Sequence, residues 1–292
     1  MNWTSYLISV RRKSKKVTKK SFMQRAAAAP HVVWAVLFII APLIFVVYYA
    51  FTDKDGSFTF SNIGEMFQAS YLEVFLRSLC FAFLATLICL VIAYPIAYFM
   101  AKAKPKTQKI LIMLVMLPQW LNFLIRTYSW MALLEDTGII NTVLGVFGIG
   151  PFHMINTSGA VILGMVYNYL PYMIIPLHSV ISKIDPKLLE AAADLGCSPI
   201  KVVLRVVLPL SMSGIIAGVT MVFVPSISTF YISQKLGGGN FDLIGDTIER
   251  QFQTAYNYNL GAAMSFVLML IIIVSMAIMN KYSGEDDGGV VV

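Results

Sequence analysis

Apolar residues fall into long blocks separated by short polar stretches. Six blocks carry roughly the 20 predominantly apolar residues that a helix needs to cross a bilayer core: residues 32–52, 77–101, 110–134, 159–181, 203–226 and 260–281. The five loops between them alternate in charge. The second holds Lys102, Lys104, Lys106 and Lys109 without an acid, and the fourth holds Lys183, Lys187, Lys201 and Arg205. The first, third and fifth are mainly acidic, with Asp53, Asp55, Glu65 and Glu73, then Glu135 and Asp136, then Asp242, Asp246 and Glu249. Lysine and arginine mark the cytoplasmic side, so the even loops and both termini are expected inside. The expected fold is an all-α membrane protein with six transmembrane helices: a basic cytoplasmic tail over 1–31, a permease domain over 32–283 and a short tail over 284–292.

Composition agrees. Of 292 residues, 58% are hydrophobic and only 13% charged, at a mean hydropathy of +0.75. A soluble surface cannot be covered by so few charges, whereas lipid requires none. The net charge of +7 is concentrated in Arg11, Arg12, Lys13, Lys15, Lys16, Lys19, Lys20 and Arg25. Beside a hydrophobic span, such a tail holds the N-terminus in the cytoplasm and touches anionic lipid; nucleic-acid binding is the alternative it displaces. Three cysteines offer no disulfide framework, and Cys80 and Cys89 read as small apolar residues of a span. Pro42, Pro95, Pro118, Pro171, Pro176, Pro209 and Pro225 recur within spans. So many helix-perturbing residues favour a transporter or channel over a simple anchor.

The fourth loop, residues 184–209, parses as two capped helices. Asp185 is an N-cap with Pro186 at the first helical position, Gly196 is the stop, and Ser198-Pro199 repeats the start signal. Leu188, Ala191, Ala192 and Leu195 share one face, and Glu190 and Asp194 share another. The fifth loop carries Gly237-Gly238-Gly239-Asn240, then Leu243, Ile244, Ile248 and Phe252 at the spacing of a short amphipathic helix lying against the outer mouth. Arg126 is the one charge deep in a span. It would repel a cation, and is expected to be structural or gating, paired with a carboxylate or helix-end carbonyls. The histidines show no metal-ligand spacing, and no catalytic or metal-binding constellation is evident.

Glu190-Ala191-Ala192, Gly196 and Val206-Val207-Leu208-Pro209 resemble the EAA loop of ABC importer permeases, at that family's spacing. Pro118-Gln-Trp120 to Arg126-Thr-Tyr128, Tyr169-Leu-Pro171 to Pro176-Leu, and Phe230-Tyr231-Ile-Ser233 to Gly238-Gly239 are similar to spermidine/putrescine permeases of the PotB type. The resemblance implies a type I importer permease of the bacterial inner membrane, moving polyamines inward by alternating access. Glu190, Ala191, Ala192, Asp194, Gly196 and Ser198 would couple to an ATPase. Trp120, Tyr128, Tyr169, Phe230, Tyr231, Glu135 and Asp136 are the candidates for the substrate path, as aromatic faces and carboxylates suited to ammonium groups. Expected partners are an ATPase dimer, a second permease subunit forming a heterodimer, an extracytoplasmic binding protein and the lipid bilayer. The chain has no G-x-x-x-x-G-K-[ST] loop, so it is expected to hold no cofactor, with ATP-Mg bound by the ATPase. The alternatives are another small solute in the same importer class, a passive channel, or an intramembrane enzyme.

Overall fold

The protein is described by a computed structural model covering residues 29–282. Nearly all of the expected basic tail, and the whole of 284–292, lie outside the described residues. Among the described residues all repetitive structure is helical, with one isolated bridge between Thr52 and Phe58. We number the helices α1 (Ala29–Ala50), α2 (Ser61–Glu65), α3 (Ala69–Lys102), α4 (Pro105–Trp120) and α5 (Phe123–Leu134). These are followed by α6 (Ile139–Val146), α7 (Ser158–Ile181), α8 (Pro186–Asp194), α9 (Pro199–Leu210) and α10 (Met212–Ile227). The last three are α11 (Tyr231–Leu236), α12 (Ile244–Gln253) and α13 (Tyr258–Tyr282).

Four of the expected spans are single helices: α1, α3, α7 and α13. The third and fifth are not. The first of these is bent by 86° between α4 and α5, and the other by 72° between α9 and α10, so the count reaches six only if each bent pair is one span. Hydropathy sums composition over a window and is blind to direction, which is why both looked continuous. The first bend is built by Pro118, which sits in a 3-10 turn, by extended Leu121, and by Asn122, whose side chain accepts the Leu124 N–H at 2.8 Å. At the second, Ser211 is fully buried and exchanges a 3.0 Å hydrogen bond with the Tyr94 hydroxyl of α3. Ahead of Pro42 and Pro209 the helix widens into a π turn, Val36–Ile40 and Val203–Val207, which relieves the clash between each proline ring and the preceding turn. Pro95, Pro171, Pro176 and Pro225 lie inside helices that run on.

The inner core rests on close helix approach. Ala85, Cys89, Ala93 and Ala97 of α3, spaced one turn apart and all fully buried, make a stripe of small residues against which Met165, Met173 and Leu177 of α7 pack. Helix α10 also approaches α7 closely: a Cβ at Gly214 of α10 would stand 3.0 Å from the Pro176 carbonyl oxygen, and one at Gly218 2.6 Å from the Met173 sulfur. A second cluster gathers Ala50 of α1, Ile227, Ile244 and the Leu260–Leu268 stretch of α13. The last carbonyls of α1 and the loop after it accept from Asn259 and Asn62, whose amides reach the Thr52 oxygen at 2.6 and 2.8 Å. Gly214→Val is expected to destabilise the chain by roughly 1–3 kcal/mol through overpacking against backbone. Thermal unfolding in detergent checks this; an unchanged melting temperature would show that α10 does not need this approach.

Candidate functional site

Two groups of the expected residues stand at separate places in the fold. The first is the α8–α9 hairpin. The Asp185 carboxylate accepts the Lys187 N–H at 3.0 Å with Pro186 at the first position, as the sequence predicts. Gly196 has φ +80°, and the Gly196 and Cys197 N–H groups return to the Ala193 and Ala192 oxygens at 2.9 and 3.1 Å, closing a Schellman motif. Ser198 starts α9 by its backbone conformation and by Pro199; its side chain makes no cap bond.

The shared apolar face divides in two. Of its four residues only Ala192 is buried, Leu188 is half-exposed and Leu195 is 86% exposed; outside that face, half-buried Leu189 packs on the inner core and Ile200 of α9 is 72% exposed. Ala191 and Ala193 are exposed as well. The seating of the hairpin uses Leu189 and Ala192, and the other apolar residues form an outward patch. Glu190 and Asp194 are exposed beside it. The ion pairs among the described residues are Glu73–Arg77, Asp136–His153 and Asp242–Arg250, so neither of these two acids is engaged.

The second group forms where the first bend turns α5 against α11. Tyr128 and Tyr231 meet edge to face at 6.2 Å, and Phe123 lies 6.0 Å from Tyr231. Over this pair stands a residue that the sequence pattern did not single out: Lys235 Nζ is 5.6 Å from the Tyr128 ring and 5.7 Å from the Tyr231 ring. Trp120, three residues before Phe123, is 73% exposed, and Phe230, next to Tyr231, is half-exposed. Tyr169, by contrast, is buried, and its hydroxyl donates to the Pro225 oxygen at 3.4 Å, holding α7 to α10.

Arg126 is buried at 7% exposure, with Phe123 5.9 Å beneath its guanidinium. The expected carboxylate or carbonyl is absent: among the described residues Nε and Nη1 have no hydrogen-bond partner. Of the expected acids of the third and fifth loops, all but Glu135 are in ion pairs or hydrogen bonds. Glu135 is exposed and closes α5, and Asp136 meets His153 Nδ1 at 2.9 Å. Asp242 accepts from Arg250 at 2.6 Å.

Helix α12 is amphipathic as expected, with its first turn set into the core and Arg250 and Gln253 exposed at its other end. Leu243 and Ile244 are fully buried, and the Ile244 N–H donates to Ser78 of α3 at 2.7 Å. Asp246 is buried there too. One of its oxygens accepts the Leu243 N–H at 2.7 Å; the other, near the Ser233 and Gln234 side chains, has no close hydrogen-bond partner among the described residues. Burial pushes this carboxyl from 3.8 up to about 6, against the lowering effect of its hydrogen bonds.

Residues 93–283 match the family described as binding-protein-dependent transport system inner membrane component. The chain is 41% identical over 251 residues to the spermidine/putrescine transport system permease protein PotB of Haemophilus influenzae, covering 82% of this chain and 88% of that protein. It is 39% identical over 246 residues to PotB of Escherichia coli strain K12, covering 82% and 90%. The inner membrane ABC transporter permease protein YdcU of Escherichia coli is 29% identical over 257 residues, covering 82% of each. Among solved structures, a chain of a bacterial ABC transporter involved in the import of the acidic polysaccharide alginate superimposes with a TM-score of 0.78 at 19% identity, covering 93% of this chain and 98% of that one. The same fold recurs in that alginate transporter's complex with its pentasaccharide-bound periplasmic protein, with a TM-score of 0.78 at 18% identity, covering 92% and 96%.

Because the folded Asp246 carboxyl titrates above its ordinary value, the stability it contributes is complete below about 3.8 and is lost as pH rises through about 6. Asp246→Asn keeps an acceptor for Leu243 and removes the charge. It is expected to raise stability at pH 7.5, by up to about 3 kcal/mol, and to leave it little changed at pH 4. Melting curves of both proteins across this range check it, and a difference independent of pH would refute the buried charge as the cause.

Proposed function

The chain belongs to the family of binding-protein-dependent transport system inner membrane components, and from that membership we propose that it is the permease subunit of an ATP-driven importer of polyamines. It is a multi-pass protein of the inner membrane, with the fold of ABC importer permeases. Its relatives at 39–41% identity are spermidine/putrescine permeases. The polyamine reading is supported from within by Lys235, since the ammonium of this chain already rests on the Tyr128 and Tyr231 rings. A polyamine presents the same group on an apolar chain. Trp120, Tyr128, Phe230 and Tyr231 would offer it faces, and Glu135 and Asp136 an acidic approach. Tyr169 would act by holding α7 and α10 together. Arg126 would be a structural or gating cation.

Energy enters at the α8–α9 hairpin in this reading. A short rigid hairpin with an unpaired Glu190 and an outward apolar patch is shaped to dock on an ATPase dimer, which would bind ATP-Mg; Ala191, Ala192, Asp194, Gly196 and Ser198 shape the contact. A binding protein would dock on the opposite side, where α12 and the third loop lie; ATP-driven closure of the ATPase would pull on Glu190–Ser198 and draw the inner ends of the spans together, and the spans would afterwards reopen inward. Both termini and the hairpin are then cytoplasmic.

Three experiments follow. In proteoliposomes containing the chain, its ATPase, the second permease and the binding protein, Glu190→Ala is expected to cut spermidine uptake at least tenfold. The melting temperature of the chain should stay within the equivalent of about 0.5 kcal/mol, because Glu190 is exposed and has no partner among the described residues. Gly196→Val adds a β-branched residue at positive φ, a strain of about 1–2 kcal/mol, and should lower both uptake and ATPase co-purification. Wild-type uptake and binding in both variants would remove the coupling role. For sidedness, a membrane-impermeant maleimide should label Cys197 only in inside-out vesicles; labelling from outside would invert the topology. For substrate, labelled spermidine uptake should be competed by putrescine and not by choline or iron chelates, and Trp120→Ala or Tyr231→Ala should raise the apparent KM severalfold. Competition by choline alone would reassign the cargo.

A further inference from the structure

The position of Lys235 has a consequence for what else the aromatic pair can bind. Its Nζ lies within cation–π range of both Tyr128 and Tyr231, rings contributed by two different elements. No carboxylate among the described residues comes within ion-pair distance of it. The nearby acids of the fifth loop are engaged elsewhere: Glu249 accepts from the Gln234 amide at 3.1 Å, Asp242 from Arg250, and Asp246 from the Leu243 N–H. A lysine held by a carboxylate is a fixed structural cation. One held by ring faces and the neighbouring Tyr128 hydroxyl, at the end of a flexible four-carbon stem, can leave without breaking an ion pair.

We propose that Lys235 is a built-in occupant of the ammonium site formed by Tyr128 and Tyr231, a tethered plug that a delivered substrate displaces. This rests on the polyamine reading for the identity of the displacing group, not for the plug itself. A single ammonium on two rings binds weakly, and each contact changes its affinity by only about two- to thirtyfold. A tethered competitor of the same chemistry acts at an effective concentration in the millimolar range. Free monovalent cations therefore lose the competition with Lys235. A polyamine handed over from a docked binding protein also arrives at high local concentration, and its remaining ammonium groups can hold other faces while one takes the rings. Lys235 thus keeps the unloaded path closed to small cations, and selects for cargo that is both multiply charged and delivered.

The test uses the full importer complex in nanodiscs, titrated with tetramethylammonium and followed by calorimetry. Wild type and Lys235→Arg, which keeps a cation over the rings, should bind the probe weakly. Lys235→Met should bind it about tenfold more tightly, and adding Tyr231→Ala should abolish the gain. Lys235→Gln serves as the second charge-free variant if Lys235→Met lowers the melting temperature of the complex. No gain in either charge-free variant, or a gain that survives loss of Tyr231, overturns the proposal. Spermidine uptake by the wild-type complex is measured alongside. If that uptake is absent while the probe shift remains, the cargo assignment falls and the plug stands.

Discussion

Hydrocarbon offers no hydrogen bonds, so every interruption of a spanning helix must find its partners inside the protein, and the placement of both functional regions follows from how this chain meets that demand. At the first bend Asn122 caps the new helix, and the Gln119 amide reaches across to the Asn168 oxygen of α7 at 2.9 Å. At the second, Ser211 bonds to Tyr94 of α3 while its own hydroxyl also reaches the Leu208 oxygen at 3.1 Å. Each bend is therefore bolted to a neighbouring span rather than left as a loose joint. The first turns Tyr128 toward Tyr231. The second lets a helix that starts at the hairpin change direction and enter the core beside α7.

Residues 186–236 then form one covalent run from the hairpin to the aromatic pair, and its contacts are tight at each stage. Leu189 and Ala192 seat α8, and the π turn before Pro209 leads into the Ser211 bend. Gly214 and Gly218 bring α10 onto the backbone of α7, and Tyr169 ties α7 to the Pro225 carbonyl just ahead of Phe230, Tyr231 and Lys235. Close-packed interfaces of this kind switch between discrete arrangements more readily than they deform. A displacement of the hairpin therefore has few places to be absorbed before it reaches the rings.

The sequence disclosed those parts whose causes are local. Asp185, Pro186 and Gly196 mark the hairpin because caps act over three or four residues, and all three do what their positions predict. The apolar blocks give the spans for the same reason. The bends were hidden, although Pro118 and Asn122 are both helix-breaking signals, because they sit in a block whose summed hydropathy is that of an unbroken span. The seating of α12 was hidden because its anchor, Ser78, lies 166 residues away. Lys235 carries no local signal, and only the folding of α5 against α11 supplies its ring faces. Tyr169 was misplaced by the converse error: its motif was legible, but the direction of its side chain was not.

The distribution of charge decides how a cation can be held here. Carboxylates are the strongest partners for an ammonium group, yet those of the outer loops are mostly spent on the chain itself. Asp136 meets His153, Asp242 meets Arg250, and Asp246 is buried as a helix cap with its proton affinity raised. Two cations, Arg126 and Lys235, stand beside the aromatic residues, with no carboxylate among the described residues to neutralise them. A route lined by fixed anions would trap a polycation, since each ion pair in a low-dielectric site is costly to break. Ring faces bind the same groups by a small amount each and can be exchanged one at a time. A transporter has to release what it binds, and a sequence of weak, interchangeable aromatic contacts, already rehearsed by a resident lysine, suits that requirement better than a ring of acids would.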